Sequence, residues 1–343
     1  MNRTAPFVGS YALAHLVVDS ACAFLVLGVL DIGSQPILSL LIYNSLAFVL
    51  QVPIGVMVDK FLNPKMAAML GLVLVAFSFL IWNTLFAALI LAGVGNALFH
   101  VGGGSLVLSL DLKKATYAGL FVAPGGIGLA LGTYLSISHL VSSLLLFPMV
   151  LVFVCLGLYF IQIPLFNRKM QEKETTKQSV LIVSLILIPV IVRSLIGLSM
   201  DFPWKEQPNL LWMLTAAIAL GKVFGGMLSD KFGLFKVGVG GMLVSAPLLA
   251  FFHSVPLLGI LGMFVLNFTM PVTLIAIWSL MPNRRGLAFG FTTASLFVGA
   301  LPVILGKSGW FQTEFIVFTL IVVSAMILFA TLYYMEKQKT NKA

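Results

Sequence analysis

The chain is a succession of long apolar runs separated by short polar turns. Twelve runs reach about the 20 residues that an α-helix needs to cross the hydrocarbon core of a bilayer. The apolar residues within each run are continuous rather than alternating, which predicts helices and not the strands of a membrane barrel. The predicted spans are residues 6–30, 35–57, 66–83, 84–109, 116–138, 142–164, 180–200, 209–229, 236–254, 256–281, 286–305 and 312–334.

One polar stretch interrupts this pattern for longer than a turn. Residues 167–178 read NRKMQEKETTKQ and follow the sixth span, and a segment this polar stays exposed. We therefore predict an all-α polytopic membrane protein with twelve transmembrane helices. Its predicted parts are an N-terminal six-helix bundle over 1–166, a cytoplasmic linker over 167–179 and a C-terminal six-helix bundle over 180–343.

Composition and charge support a membrane class. Hydrophobic residues make up 60% of the chain and charged residues only 9%, whereas soluble domains carry about 25% charged residues. With the N-terminus in the cytoplasm, 16 of the 20 Lys and Arg residues fall in cytoplasmic segments, as the positive-inside rule requires. This predicts a multi-pass protein of the cell (inner) membrane with both termini cytoplasmic. The net charge of +9 is dispersed over short loops and does not indicate a nucleic-acid partner.

The sequence also repeats itself. GVMVDKF at 55–61 returns as GMLSDKF at 226–232, at an offset of 171 residues, which is about half of the 343-residue chain. Two parallel six-helix repeats are a transporter architecture that holds substrate between its halves near the membrane midplane. The same offset pairs Asn96 with Asn267, Lys113 with Arg284, and Lys114 with Arg285.

The repeated segments resemble the G-x-x-x-D-(R/K)-x-G-(R/K)-(R/K) signature of the major facilitator superfamily, and the resemblance extends over the whole chain. The second copy keeps the later glycine as Gly233, whereas the first copy has Leu62, Asn63 and Pro64 there. The resemblance implies that these loops latch the two halves together on the cytoplasmic side. The predicted gating residues are Gly55, Asp59, Lys60, Lys113, Lys114, Gly226, Asp230, Lys231, Arg284 and Arg285.

Three further segments resemble the fosmidomycin-resistance branch of that superfamily. They are AHLVVD (14–19), FHVGGG (99–104) and LFVAPGGIGLALG (120–132). The chain departs from the branch pattern at Val101, Val122 and Thr133. The resemblance implies efflux of a small organic solute by antiport.

The two repeated aspartates have several available partners. A carboxylate where a helix leaves the membrane pairs with Lys or Arg, or caps the N-terminus of a neighbouring helix. Arg284 and Arg285 are the predicted partners of Asp59, and Lys113 and Lys114 those of Asp230. The alternative is that these charges only set the topology.

Polar residues inside the spans form a second set. Ionisable groups there are costly and usually functional. His15 and Asp19 are four residues apart, as are Asn96 and His100, so each pair shares a helix face. The resemblance implies that spans 1, 4, 7 and 10 line the central cavity. The predicted substrate- and proton-binding residues, all on these spans, are His15, Asp19, Asn96, His100, Arg193 and Asn267.

Other roles for these residues stay open. Asp19 and the two histidines are alternatively packing residues with hydrogen-bond partners, and a His15–Asp19–His100 metal site fits by ligand type alone. Arg193 suits an anionic substrate group or Asp19. We predict that the protein is a monomer and binds no metal and no cofactor. Its predicted partners are protons, a small-molecule substrate and the lipid bilayer.

The functional expectation is a secondary transporter working by alternating access, with proton-coupled efflux. The alternative within transport is a proton-coupled importer of an anionic or zwitterionic metabolite, and the alternative outside transport is a non-transporting membrane sensor or scaffold. The sequence has no H-E-x-x-H and no paired carboxylates in its spans, so we do not expect an enzyme.

Overall fold

The structure is a computed structural model that describes residues 4–111, 114–138, 144–164 and 176–340. Its regular elements in these ranges are helices. They are α1 (Thr4–Phe24), α2 (Pro36–Asn44), α3 (Gln51–Lys60), α4 (Pro64–Leu80), α5 (Leu85–Leu108), α6 (Ala115–Ser138), α7 (Leu146–Phe160), α8 (Lys177–Ser199), α9 (Pro208–Phe232), α10 (Leu234–Phe251), α11 (Pro256–Leu266), α12 (Thr269–Leu280), α13 (Arg285–Ile304), α14 (Glu314–Thr340) and a 3₁₀ turn at Gly309–Gln312.

The helix ends follow local sequence. Asn63 caps α4 by accepting from the amides of Lys65 and Met66, and Pro64 fills the first helical position, where a missing N–H costs nothing. Between α9 and α10 the chain turns instead at Gly233, with φ 92°, a conformation that side chains disfavour. The two copies of the repeated loop thus use different turn chemistry, which explains why only the second needs its glycine.

Ten helical segments in the described ranges are long and apolar enough to cross a membrane. Two further apolar helices are shorter, with 17 residues in α4 and 15 in α7, and they correspond to the predicted spans 66–83 and 142–164. Large apolar side chains face outward; Phe153 and Phe160 on α7 are 75% and 77% exposed. Exposed apolar surface of this extent fits contact with lipid rather than water.

Three of the long segments are not regular α-helices throughout. A π turn at Leu25–Val29 extends α1, and another at Ser45–Val49 joins α2 to α3. The predicted span 256–281 is broken at Asn267 and Phe268, between α11 and α12. Such breaks inside apolar spans are frequent at functional positions.

The chain divides into two compact units. The first comprises Met1–Asp111, Leu120–Met170 and Arg284–Ala294, and the second comprises Leu112–Gly119, Gln171–Asn283 and Ser295–Ala343. In the first unit α4 and α5 pack through glycines, since a Cβ on Gly71 would collide with the Gly95 carbonyl and the Phe99 amide. In the second unit α9 packs on α11 in the same manner, with Gly221 against the Phe264 carbonyl. Small residues allow this close helix approach in membranes.

Candidate functional site

The first unit gathers four of the predicted membrane-interior residues in one place. His15 and Asp19 lie one turn apart on α1, and Asn96 and His100 lie one turn apart on α5. His15 is 5% exposed, Asn96 4% and His100 8%. We call His15, Asp19 and His100 the His–Asp–His cluster.

Short distances connect the cluster. The Nε2 atoms of His15 and His100 are 2.8 Å apart. Asp19 Oδ2 lies 3.2 Å from His15 Nε2, and Asp19 Oδ1 lies 3.6 Å from His100 Nε2. Asn96 Nδ2 donates to Asp19 Oδ1 at 3.1 Å and contacts the Cys22 sulfur at 3.6 Å. One carboxylate therefore faces two imidazoles and an amide.

Backbone carbonyls fix the orientation of both imidazoles. His15 Nδ1 lies 2.7 Å from the Phe121 carbonyl oxygen on α6, and His100 Nδ1 lies 2.8 Å from the carbonyl oxygen of Asn96. Pro124 interrupts the hydrogen-bond ladder of α6 close to Phe121, because its nitrogen cannot donate to the carbonyl four residues earlier. Each Nδ1 is thereby held against an acceptor, which turns both Nε2 atoms toward Asp19.

The close approach of α6 to α1 depends on glycines. A Cβ on Gly125 would collide with the imidazole of His15 and come within 2.7 Å of Asp19 Oδ2. Further along α6, a Cβ on Gly128 or Gly132 would collide with the carbonyls of Leu16 or Ser20. Gly125 thus lies directly against the cluster.

The cluster has the ligand types of a metal site, with its candidate ligand atoms within 4.8 Å of one another. Two nitrogens bound to one zinc at 2.0–2.1 Å in tetrahedral geometry lie about 3.3 Å apart. The observed Nε2–Nε2 distance of 2.8 Å is shorter and is instead that of a hydrogen bond. The geometry fits a proton between the rings better than a metal ion.

The second unit contains the other two predicted residues. Arg193 on α8 is 8% exposed, donates from Nη2 to the Met270 sulfur at 3.2 Å, and has no hydrogen-bond partner for Nε among the described residues. Asn267 donates to the carbonyl of Met263, one turn earlier in α11. Arg193 is thus a buried cation whose observed partner is a weak acceptor. The observed partners of Asp19 all belong to the first unit.

The repeated aspartates cap helix N-termini. In the first unit Asp59 accepts from the amides of Gly286 and Leu287 at 2.7 and 2.9 Å, at the start of α13. In the second unit Asp230 accepts from the amides of Ala115 and Thr116 at 2.6 and 3.2 Å, at the start of α6. The carboxylates therefore meet the positive end of a helix dipole.

Glycines bring the backbones together beside both caps. A Cβ on Gly55 would collide with the Gly286 carbonyl, and a Cβ on Gly226 would come within 2.6 Å of the Ala115 carbonyl oxygen. The two caps are related by the sequence offset, because the residues of each are 171 positions from their counterparts in the other. In each case a glycine one turn before the aspartate allows the contact.

The basic gating residues take other positions. Arg284 and Arg285 flank the Asp59 cap and act on that carboxylate through space, without a described ion pair. Lys114 and Lys231 lie over the rings of Tyr117 and Phe232, at 5.7 and 5.1 Å from the ring centres. Lys60 is exposed, and Lys113 lies outside the described residues. Of the two partner types considered for the aspartates, backbone amides are the ones observed.

Several contacting groups escaped the sequence analysis. The Phe121 carbonyl has no side-chain signature, and Cys22 was not among the predicted site residues. Lys65 was not among the predicted gating residues, but its ammonium donates to the carbonyls of Tyr159 and Ile161 at 2.8 Å each, at the end of α7. A cation there stabilises the negative end of the helix dipole, and its position at the start of α4 gave no hint of that partner.

Comparison with known proteins gives a fold and no sequence relative. No family model matches the chain, and no curated protein does. The E. coli fucose:proton symporter FucP matches with a TM-score of 0.69 at 14% identity, covering 97% of this chain and 99% of that chain. FucP in its outward conformation gives a TM-score of 0.67 at 14% identity, covering 96% and 98%.

A human protein has the same fold. The organic anion transporter MFSD10 matches with a TM-score of 0.68 at 15% identity, covering 96% of this chain and 98% of that chain. The chain is therefore an integral membrane protein with the fold of major facilitator superfamily transporters, which confirms the fold expectation at that level. The fosmidomycin-resistance branch stays a prediction.

Proposed function

We propose that this protein is a secondary transporter that moves a small organic solute by alternating access, coupled to protons. The observation that carries the proposal is the His–Asp–His cluster, buried inside apolar helices of a transporter fold. Ionisable groups in such positions are expensive and mark ion or substrate pathways. The similarity to a fucose:proton symporter supports proton coupling.

The proposal includes twelve spans arranged as two parallel six-helix repeats, over 1–166 and 180–343 with a linker at 167–179. The ten long segments account for all spans except those of α4 and α7. At 1.5 Å per residue these two helices are about 26 and 22 Å long, and apolar residues flank both. The caps of Asp59 and Asp230, related by the 171-residue offset, support the repeat.

The caps act as the gate in this proposal. Each joins the end of one helix to the start of another that is distant in sequence, through two charge-assisted hydrogen bonds. Such contacts stabilise one of the conformations between which a transporter alternates. The distribution of Lys and Arg supports a cytoplasmic location for both caps and both termini, in the inner membrane.

The proposed direction is efflux by proton antiport, which the three branch-like segments around His15, His100 and Phe121 support. A proton-coupled importer of an anionic or zwitterionic metabolite is the second candidate. Arg193 favours it, since a buried guanidinium whose Nε has no partner among the described residues suits a carboxylate or phosphonate. Similarity to an organic anion transporter supports an anionic solute in either direction.

The test is a thermal-shift screen of the purified protein against organic anions, zwitterions and sugars, followed by flux measurements in proteoliposomes. We expect at least one solute to stabilise the protein and to move faster under a pH gradient. Uptake driven by an inward proton gradient assigns symport and hence import, and uptake driven by an outward proton gradient assigns antiport and hence efflux. Absence of pH-sensitive flux for every stabilising solute would contradict the proposal and favour a sensor or scaffold.

A further inference from the structure

The proton inventory of the His–Asp–His cluster follows from its hydrogen bonds. A carbonyl oxygen only accepts, so the contacts to Phe121 and Asn96 place a proton on Nδ1 of His15 and on Nδ1 of His100. A neutral imidazole carries one N–H and one bare nitrogen. When both rings are neutral, both Nε2 atoms are therefore bare.

Two bare Nε2 atoms do not fit the observed geometry. They would face one another at 2.8 Å, with the Asp19 oxygens at 3.2 and 3.6 Å, so that acceptors alone would converge. One proton between the rings turns this contact into a charge-assisted hydrogen bond. A second proton would set two N–H groups against each other at the same distance. The geometry accommodates one proton.

We propose that the His–Asp–His cluster is a one-proton site in which the paired Nε2 atoms of His15 and His100 hold the proton and Asp19 stays ionised as their counter-ion. This inference rests on the proposed function, in which this proton is the one coupled to transport. The occupied site is an imidazolium and a carboxylate with no net charge, which suits a buried position. Loss of the proton leaves a buried negative charge, which is unfavourable without water or another cation.

The surroundings leave the proton to these rings. Among the described residues, the titratable groups that face the cluster from outside it are Cys22 on α1 and Tyr43 on α2. Helix α6 contributes the Phe121 carbonyl and Gly125. Thiols and phenols ordinarily titrate near pH 8.5 and about 10, so neither takes the proton near neutral pH. The Asp19 side chain is 19% exposed, against 6% for His15 and 11% for His100, so Asp19 is the most exposed member of the cluster.

Histidine-selective ¹⁵N NMR on the purified full chain tests the proton count directly. The chain has four histidines, and His15→Gln and His100→Gln assign the cluster signals, with His253→Gln as the control outside it. At neutral pH we expect an N–H on both Nδ1 atoms and one shared N–H on the two Nε2 atoms. Two ordinary neutral rings without an Nε2 proton would overturn the site.

Infrared spectroscopy across a pH titration tests which group is protonated. We expect no protonated carboxylic acid band that Asp19→Asn removes, with Asp201→Asn on an exposed loop as the control carboxylate. A band lost in Asp19→Asn and kept in Asp201→Asn would place the proton on Asp19 and overturn the assignment. Both spectra are recorded first on wild-type protein, and the variants serve only to assign the signals.

A zinc-binding experiment tests whether the cluster holds a proton or a metal ion. After incubation with Zn²⁺ and desalting, elemental analysis should find no zinc that depends on the cluster. One zinc per chain in the wild type and in His253→Gln, absent from both His15→Gln and His100→Gln, would overturn the proposal in favour of a metal site.

Coupling is tested separately, with the solute identified by the thermal-shift screen. In His100→Gln we expect loss of pH-driven accumulation while solute exchange at equal pH is retained. Full accumulation in this variant would overturn the coupling, and absence of flux in wild type would contradict the proposed function. Neither result changes the proton count.

Discussion

The two regions of buried charge differ in how completely their polar groups are satisfied. Around Asp19, the carboxylate faces two imidazoles and an amide, and each imidazole is fixed by a backbone carbonyl. Around Arg193, the guanidinium donates to a thioether, and its Nε has no partner in the part of the chain that the structure describes. The first region is complete with a proton, whereas the second lacks an anion. Under the proposed function, this contrast assigns proton binding to the first region and recognition of an anionic solute to the second.

The largest effect is expected from Asp19→Asn, which removes the counter-ion and leaves the shape unchanged. Without the carboxylate the cluster no longer stabilises the imidazolium, so proton binding is uncoupled from transport. Counterflow should persist, and accumulation driven by a pH gradient should fall to the equilibrium level in proteoliposomes. Full gradient-driven accumulation in Asp19→Asn would remove the first region from the mechanism.

Arg193→Met tests the second region. Hydrogen bonds to charged groups contribute about 1.5–3 kcal/mol each, so affinity for an anionic solute should fall by about 10- to 150-fold in calorimetric titrations. The stability of the ligand-free protein should not fall, because an incompletely paired buried charge is removed. Lys205→Met, on an exposed loop, is the matched control and should leave affinity unchanged. Unaltered affinity in Arg193→Met would show that the second region does not bind the solute.

Gly125→Ala perturbs the first region without changing its charge. The added methyl group would collide with His15 and crowd Asp19, and overpacking of this kind costs about 1–3 kcal/mol. Gly157→Ala is the control, since nothing lies within 4 Å of a Cβ there, and it should stabilise α7 by up to about 1 kcal/mol. Thermal unfolding in detergent measures both, and equal midpoints would show that the cluster tolerates a looser contact with α6.

Asp59→Asn and Asp230→Asn probe the two helix caps. Each variant loses charge-assisted hydrogen bonds at a helix N-terminus, which contribute about 1–2 kcal/mol. The population of the conformation open to the cytoplasm should therefore rise about 5- to 30-fold. Accessibility of a cysteine in the middle of α5 to a cytoplasmic thiol reagent reports the change. Unchanged accessibility in both variants would mean that the aspartates only set topology.

The smallest effect belongs to an exposed ion pair that serves as a reference for the buried ones. Lys205 donates to Asp201 at 2.6 Å and lowers the pKa of that carboxyl. A lowered pKa stabilises the folded state above the unfolded-state pKa, and this contribution disappears as pH falls through the folded-state value. Because both side chains are exposed, Asp201→Asn should change the free energy of unfolding by about 0.5 kcal/mol or less. Thermal melts at neutral and acidic pH measure this change.

The sequence by itself was sufficient for the membrane class, the helical architecture and the residues that carry charge into the bilayer. Continuous apolar runs leave helices as the one solution that satisfies the backbone in lipid. The four-residue spacing of His15 with Asp19 and of Asn96 with His100 set each pair on one helix face. The 171-residue offset likewise identified Asp59 and Asp230 as equivalent.

Only the tertiary structure decided which of these groups meet. Helices that are apolar all round carry no stripe that fixes their rotation or their neighbours, so the pairing of α1 with α5 could not be derived from periodicity. Backbone groups fix the His15 tautomer, through the Phe121 carbonyl, and donate to the Asp59 carboxylate at the start of α13. Every residue possesses such groups, and no sequence motif marks them. The partners of Asp19 and Arg193 therefore depended on helix packing, which brought one carboxylate to two imidazoles and left one guanidinium beside a thioether.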